Sequence, residues 1–109
     1  MKVANRVRPK QKRYGMAQKN AKETIVVIQR ITRMEFYFDT LQAAALQEPR
    51  HISTDPWLRA MLRSLTDYYE NGQWFADFQR DERGELPQEI KRGVLSEDGI
   101  YDLLMTLNA

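Results

Sequence analysis

Asp77, Asp81 and Glu82 lie four and five residues apart, with Glu85 just beyond. Carboxylates spaced by four share one face of a helix, and oxygen ligands of that kind hold Mg²⁺ or Ca²⁺. Arg80 and Arg83 are interleaved with them, however, and no Asp-x-Asp-x-Asp-Gly loop is present. Ion pairing and capping therefore suit these residues better, and no metal ligand is assigned. His51, the only histidine, shares the segment Pro49 to Asp55 with Ser53. All three triad residue types are present there, but a triad is a geometry and not a neighbourhood in sequence, and no nucleophile elbow surrounds the serine. A solvated or capping histidine is the expectation. The chain has no cysteine, which removes thiolate nucleophiles, disulfides and thiolate metal sites. It also has no phosphate-cradling glycine loop and no His-Glu-x-x-His pattern. The inventory leaves no catalytic residue and no cofactor-binding residue to name, so action through binding is expected and an enzyme is not.

Binding chemistry is better represented. The chain carries 17 basic and 15 acidic residues. Residues 1–22 hold eight of the basic ones (Lys2, Arg6, Arg8, Lys10, Lys12, Arg13, Lys19 and Lys22) and no acidic one, which leaves nine against 15 and a net charge of −6 over 23–109. A basic arm of this kind neutralises phosphates, and Tyr14 is available to stack on a base or ribose. Lys2, Arg6, Arg8, Lys10, Lys12, Arg13 and Tyr14 are thus the candidate nucleic-acid contacts. The arm lacks the bulky apolar residues that anchor helices at a lipid surface. The competing expectation is a solvated tail, disordered in isolation, or a start of translation at Met16, from which six basic residues would be lost and the net charge would be −4.

A second polar segment, residues 87–107, has a helix-turn-helix outline. Its second helix opens on Glu97 and Asp98 with Asp102 one turn on. A recognition helix sets its N-terminus against bases and phosphates, which would repel three carboxylates. Helix-on-helix packing is the expectation there. Trp57, Trp74, Tyr14, Tyr37, Tyr68, Tyr69 and Tyr101 are more aromatics than so small a core readily hides. Aromatics and arginine anchor protein interfaces, although Trp and Tyr also sit half-buried with their polar tips wet.

The elements that carry these residues follow from periodicity. Asn20 and Glu23 form an approximate capping box at the head of a first helix. Val27, Ile31, Met34, Phe38, Leu41 and Ala45 step by four and three along one face, with Arg30, Arg33, Glu35, Asp39 and Gln42 mostly on the other. Pro49 restricts Glu48 and ends this helix, and residues 49–55 read as a loop. Asp55-Pro56 opens a second helix, which Asn71-Gly72 closes. Trp74, Phe75 and Phe78 belong to a short third helix or a bent continuation of the second, ending at Gly84, and Pro87 opens a single turn closed by Gly93. Ser96 caps a last helix with apolar residues Ile100, Leu103, Leu104 and Leu107. Trp74 is expected in the core between the second, third and last helices, covered by Phe75, Phe78 and Leu104. The expected architecture is all-α, a small bundle of three main helices with short connecting helical turns: a basic arm over 1–19 and one domain over 20–109.

The stretch Tyr68 to Leu104 carries the most specific pattern: Tyr68-Tyr69, Gly72-x-Trp74, Asp81-Glu82-Arg83-Gly84-Glu85-Leu86-Pro87, Lys91-Arg92-Gly93-Val94-Leu95-Ser96-Glu97-Asp98 and Tyr101-Asp102-Leu103-Leu104. It resembles a family of small bacterial proteins known as domain of unknown function number 4298, with Asn71 where members tend to carry serine. Residues 24–46 match more loosely, and about the first fifteen lie outside the likeness. The resemblance implies a helical fold and no activity. It marks Trp74, Asp81, Glu82, Arg83, Lys91, Arg92, Ser96, Glu97, Asp98 and Tyr101 as an interaction or structural signature.

No apolar run approaches the ~20 residues that a spanning helix needs, and the basic start is not followed by a signal-peptide core. The expected protein is soluble and cytoplasmic, an accessory or regulatory module that binds an unknown protein partner. Nucleic-acid or ribosome association through the arm is the alternative.

Overall fold

The computed structural model describes the backbone of residues 2–108 and the side chains of residues 21–108. The described chain folds into five α-helices and one 3-10 turn, with no strand among the described residues. They are α1 (Lys2–Gln47), α2 (Pro49–Thr54), α3 (Pro56–Glu70), α4 (Gln73–Glu82), the 3-10 turn Gly93–Leu95, and α5 (Glu97–Leu107). The all-α expectation holds.

The sequence puts the start of the first helix at Asn20, but α1 begins at Lys2 and passes through it. Met16, Ala17, Gln18 and Lys19 are good helix formers, so the amides near Asn20 bond to a preceding helical turn and need no cap. Residues 2–19 thus belong to the same helix as residues 20–47. The side chains from Lys2 to Tyr14, where nucleic-acid contact is expected, lie outside the described residues.

The core face of α1 is as its spacing predicts: Val27, Ile31, Met34, Phe38 and Leu41 are buried. Pro49 does end α1, with Glu48 at φ −144° and ψ 68°. Residues 49–54 are a helix and not a loop. Pro49 occupies the first helical turn of α2, where its missing amide costs nothing, and buried Ile52 fastens that turn to the bundle. Asp55 then caps α3, its carboxylate accepting from the amides of Trp57 at 2.8 Å and Leu58 at 3.3 Å.

Between α3 and α4 the chain reverses at Gly72, whose φ of +93° lies in the left-handed region open to glycine. Pro87 is followed by a turn at Gln88 and Glu89, but no helix forms over residues 87–92. Arg92 takes the carbonyls that a helical turn would use, donating to Pro87 O at 2.8 Å and Gln88 O at 3.2 Å while its Nε reaches Asp81 at 3.0 Å. Gly93 accordingly opens a 3-10 turn and closes nothing. No helix precedes that turn closely enough to make a helix-turn-helix with α5. Ser96 caps α5, its Oγ accepting from the Gly99 amide at 3.2 Å. Leu65, Tyr68, Trp74, Val94, Leu95, Ile100, Leu103 and Leu104 complete one continuous core against α1.

Candidate interaction surface and the charged groups beneath it

Two carboxylates, Glu35 and Asp77, are buried among the described residues, and each joins distant parts of the chain. Asp77, fully buried on α4, receives three hydrogen bonds. Arg30 of α1 donates from Nε at 2.9 Å and from Nη2 at 2.6 Å, and the Tyr68 hydroxyl of α3 donates at 2.7 Å. The bond to Asp77 holds the Arg30 guanidinium above its usual value, and burial followed by Asp77 pushes the Tyr68 hydroxyl up. Arg30 therefore stays cationic and Tyr68 stays a donor at any pH the fold meets. Both oxygens of Asp77 are occupied, and the group is closed to solvent. This is a three-helix fastening.

Glu35 accepts from the Val94 amide at 2.7 Å and so fixes the 3-10 turn to α1. Gly93 permits that approach, because a Cβ there would stand 3.1 Å from the Glu35 carboxylate. Burial pushes the Glu35 carboxyl up, against the opposing pull of the Val94 amide. The sequence assigns Arg30 and Glu35 to the outer face of α1. They lie instead at its flanks, where α4 and the 3-10 turn close over them. Both flank the apolar stripe at helical spacing, Arg30 three after Val27 and Glu35 three before Phe38, and that position was the signal available.

A pH dependence follows from Glu35. Its raised folded-state pKa contributes stability that is full below the ordinary carboxylate value and is lost as pH rises through the folded one. Glu35→Gln keeps a side-chain oxygen for Val94 but cannot ionise. The melting temperature of the variant relative to wild type should therefore increase as pH rises from about 4, the ordinary glutamate range, towards neutrality. Parallel melting curves for the two proteins across that range would dismiss the reading.

The signature residues divide into buried and exposed sets. Trp74 is 4% exposed. Its indole N–H donates to Val94 O at 2.8 Å, with the rings of Phe78 and Tyr69 centred 5.1 and 5.2 Å away. Phe78 covers the indole as expected, whereas Phe75 is 53% exposed and does not, because it points off the outer side of α4. Asp81 pairs with Arg92, and Arg83 pairs with Glu85 at 2.6 Å. The ion-pairing role expected of Asp81 and Glu85 is thus present, and Asp77 turns inward to Arg30 and Tyr68. Among the described residues no group of three acidic or histidine side chains is placed to hold a metal ion.

The residues of triad type go separate ways. His51 pairs with Glu48 at 2.9 Å, the Ser53 hydroxyl donates to Arg50 O, and Asp55 caps α3. Glu82, Lys91, Glu97, Asp98 and Tyr101 are exposed.

Three exposed members of the signature, Glu97, Asp98 and Tyr101, lie on α5. Asp98, Tyr101, Asp102 and Met105 step by three, one and three along its outward side. Tyr101 is 50% exposed and Met105 57%. Neither Asp98, Asp102 nor neighbouring Glu97 takes part in an ion pair among the described residues. An apolar pair one turn apart, bracketed by unneutralised carboxylates, can accept an apolar anchor and cations together.

The family model described as Domain of unknown function (DUF4298) matches residues 31–109. The chain belongs to this family. The match runs from Ile31 in α1 through the whole of α2 to α5, so the family pattern covers the bundle, including Asp77, Glu35 and the α5 face, and stops just short of Arg30. No curated protein and no solved structure matches the chain. No described helix is long and apolar enough to cross a membrane.

Proposed function

We propose that this protein is a cytoplasmic accessory or regulatory module that acts by binding and not by catalysis, and that the α5 face docks a basic segment of a partner protein. The observation that carries the reading is the exposure of Tyr101 and Met105 beside Asp98 and Asp102, all four on a helix whose other side is used by the core. Aromatic and methionine side chains are favoured interface anchors, and methionine adapts to varied partners. The carboxylates add steering and selection for a cationic partner more than affinity. The buried Asp77 supports the same reading, because both of its oxygens are already taken by Arg30 and Tyr68.

A second reading, nucleic-acid or ribosome association through Lys2 to Lys22, draws on the eight basic residues carried by the first half of one continuous helix. Affinity purification from the native host, with and without nuclease, separates the two. A partner that survives nuclease, weakens with salt and is lost from the Tyr101→Ala/Met105→Ala variant is the expected result. The variant's melting temperature should be nearly unchanged, since exposed side chains contribute little to the core. Recovery that depends on intact nucleic acid, and on residues 1–15 alone, would replace the first reading by the second.

A further inference from the structure

The side of α1 facing away from the bundle is not a polar surface. Ile25, Gln29, Thr32 and Phe36 step by four, three and four along it, and all four are exposed, Ile25 at 54% and Phe36 at 60%. Lys22 lies three residues before this stripe and Asp39 three after it, both also exposed. A surface helix that serves one core needs one apolar stripe, and α1 already has its own in Val27, Ile31, Met34 and Phe38. The second stripe has no use within one copy of the chain.

We propose that this second stripe is covered by the same stripe of a second copy, the two α1 helices running antiparallel. Its composition and spacing carry the inference. Lys22, Ile25, Gln29, Thr32, Phe36 and Asp39 are separated by three, four, three, four and three residues, a sequence of steps that reads the same in both directions. Two such stripes therefore superpose in antiparallel register about a two-fold axis between Gln29 and Thr32. Lys22 then meets Asp39 of the second copy, Ile25 meets Phe36, and Gln29 meets Thr32, each pair occurring twice as two-fold symmetry requires. Ammonium faces carboxylate, aliphatic faces aromatic, and amide faces hydroxyl. Neither Lys22 nor Asp39 takes part in an ion pair among the described residues.

A parallel pairing of the same stripes puts Lys22 on Lys22 and Asp39 on Asp39, and like charges across a helix seam are unfavourable. It also lays the eight basic residues of one arm beside the eight of the other. The antiparallel register instead directs each basic arm along a body of net charge −6. The seam has a receptacle as well. A recess of about 370 Å³ between α1 and the segment that precedes the 3-10 turn is lined by Thr32, Glu35, Phe36, Asp39, Ile90 and Lys91, where Ile25 of the second copy arrives.

The absence of cysteine makes the test direct. Ile25→Cys and Phe36→Cys, both at exposed positions, are prepared as separate full-length variants, one carrying a size-shifting tag, and oxidised alone and mixed. The mixture should give the Ile25-to-Phe36 cross-link, because facing side chains in this register come within disulfide reach. Each variant alone should cross-link poorly, its two cysteines lying eleven residues apart along the seam, about 16 Å at the helical rise. In sedimentation equilibrium, Lys22→Glu should raise the dimer dissociation constant about tenfold, equivalent to about 1.4 kcal/mol, and adding Asp39→Lys should restore it. Self-cross-linking of Ile25→Cys would mean a parallel pair and overturn the register. A monomeric wild-type protein, or a charge swap that fails to rescue, would overturn the dimer or its pairing. The α5 reading stands or falls separately, since Tyr101→Ala/Met105→Ala leaves this seam untouched.

Discussion

Asp77→Ala should bring the domain to the edge of unfolding, a loss of about 3–5 kcal/mol on urea denaturation, as for removal of one partner from a buried ion pair. The substitution deletes few atoms. Its cost lies in what remains: a largely buried Arg30 guanidinium that has lost both of its bonds, and the hydroxyl of buried Tyr68, which has lost its acceptor. A single domain holds about 5–15 kcal/mol in all, so the variant would retain little margin. Removing both charges together should cost less than removing Asp77 alone. Asp77→Ala combined with Arg30→Met replaces the pair with apolar volume and leaves only the tyrosine hydroxyl unmatched, and replacing a buried pair in this way is often close to neutral. A double variant as unstable as the sum of the singles would show that the two side chains do not depend on each other and that the fastening is wrongly assigned.

The fastening also shows where sequence reasoning stopped. Periodicity located the buried face of α1 because Val27, Ile31, Met34, Phe38 and Leu41 are apolar and their repeat spans several turns. The same rule sorted Arg30 and Glu35 outward by charge, although both flank the buried stripe at helical spacing. Which flanking charge is solvated and which is covered depends on what packs there. In this chain the coverings are Asp77, 47 residues from Arg30, and Val94, 59 from Glu35. No local rule connects positions so far apart.

The middle of the chain failed for a different reason. Residues 49–54 are rich in turn formers, yet Pro49 suits a first helical turn as well as a loop, and burial of Ile52 decides between them. Over 87–92 the composition favours a helical turn, and the side chain of Arg92 competes successfully for the carbonyls. The exposed face of α5 was legible in part, since Glu97, Asp98 and Tyr101 belong to the recognisable signature, but Met105 joins it only through the helix that carries it. The second stripe of α1 was not, because six residues of mixed type form a pattern only once their side chains are known to be exposed together on one face of the helix.

Trp74→Ala should cost about 3–5 kcal/mol, the range for truncating a buried large aromatic, and should lower the melting temperature by tens of degrees or prevent folding. Three contributions combine. The ring is 4% exposed and is sandwiched against Phe78 and Tyr69, so its loss leaves a cavity between α3, α4 and the 3-10 turn. Both aromatic pairs are lost, each worth about 0.5–1.5 kcal/mol beyond the buried area. The Val94 carbonyl also loses the indole N–H, and an unmatched buried acceptor costs about 1–3 kcal/mol. Trp74→Phe separates these contributions. It keeps an aromatic ring against Phe78 but removes the donor, and its smaller loss reports mainly the carbonyl and the residual void. Because Val94 also donates its amide to Glu35, the indole and the carboxylate hold opposite polar groups of one residue. Trp74→Phe and Glu35→Ala, which removes the acceptor for the Val94 amide, should therefore be less than additive if either one alone loosens the turn. Full additivity would mean that the turn keeps its place with one tether, and a Trp74→Ala protein with an unchanged melting temperature would remove Trp74 from the core altogether.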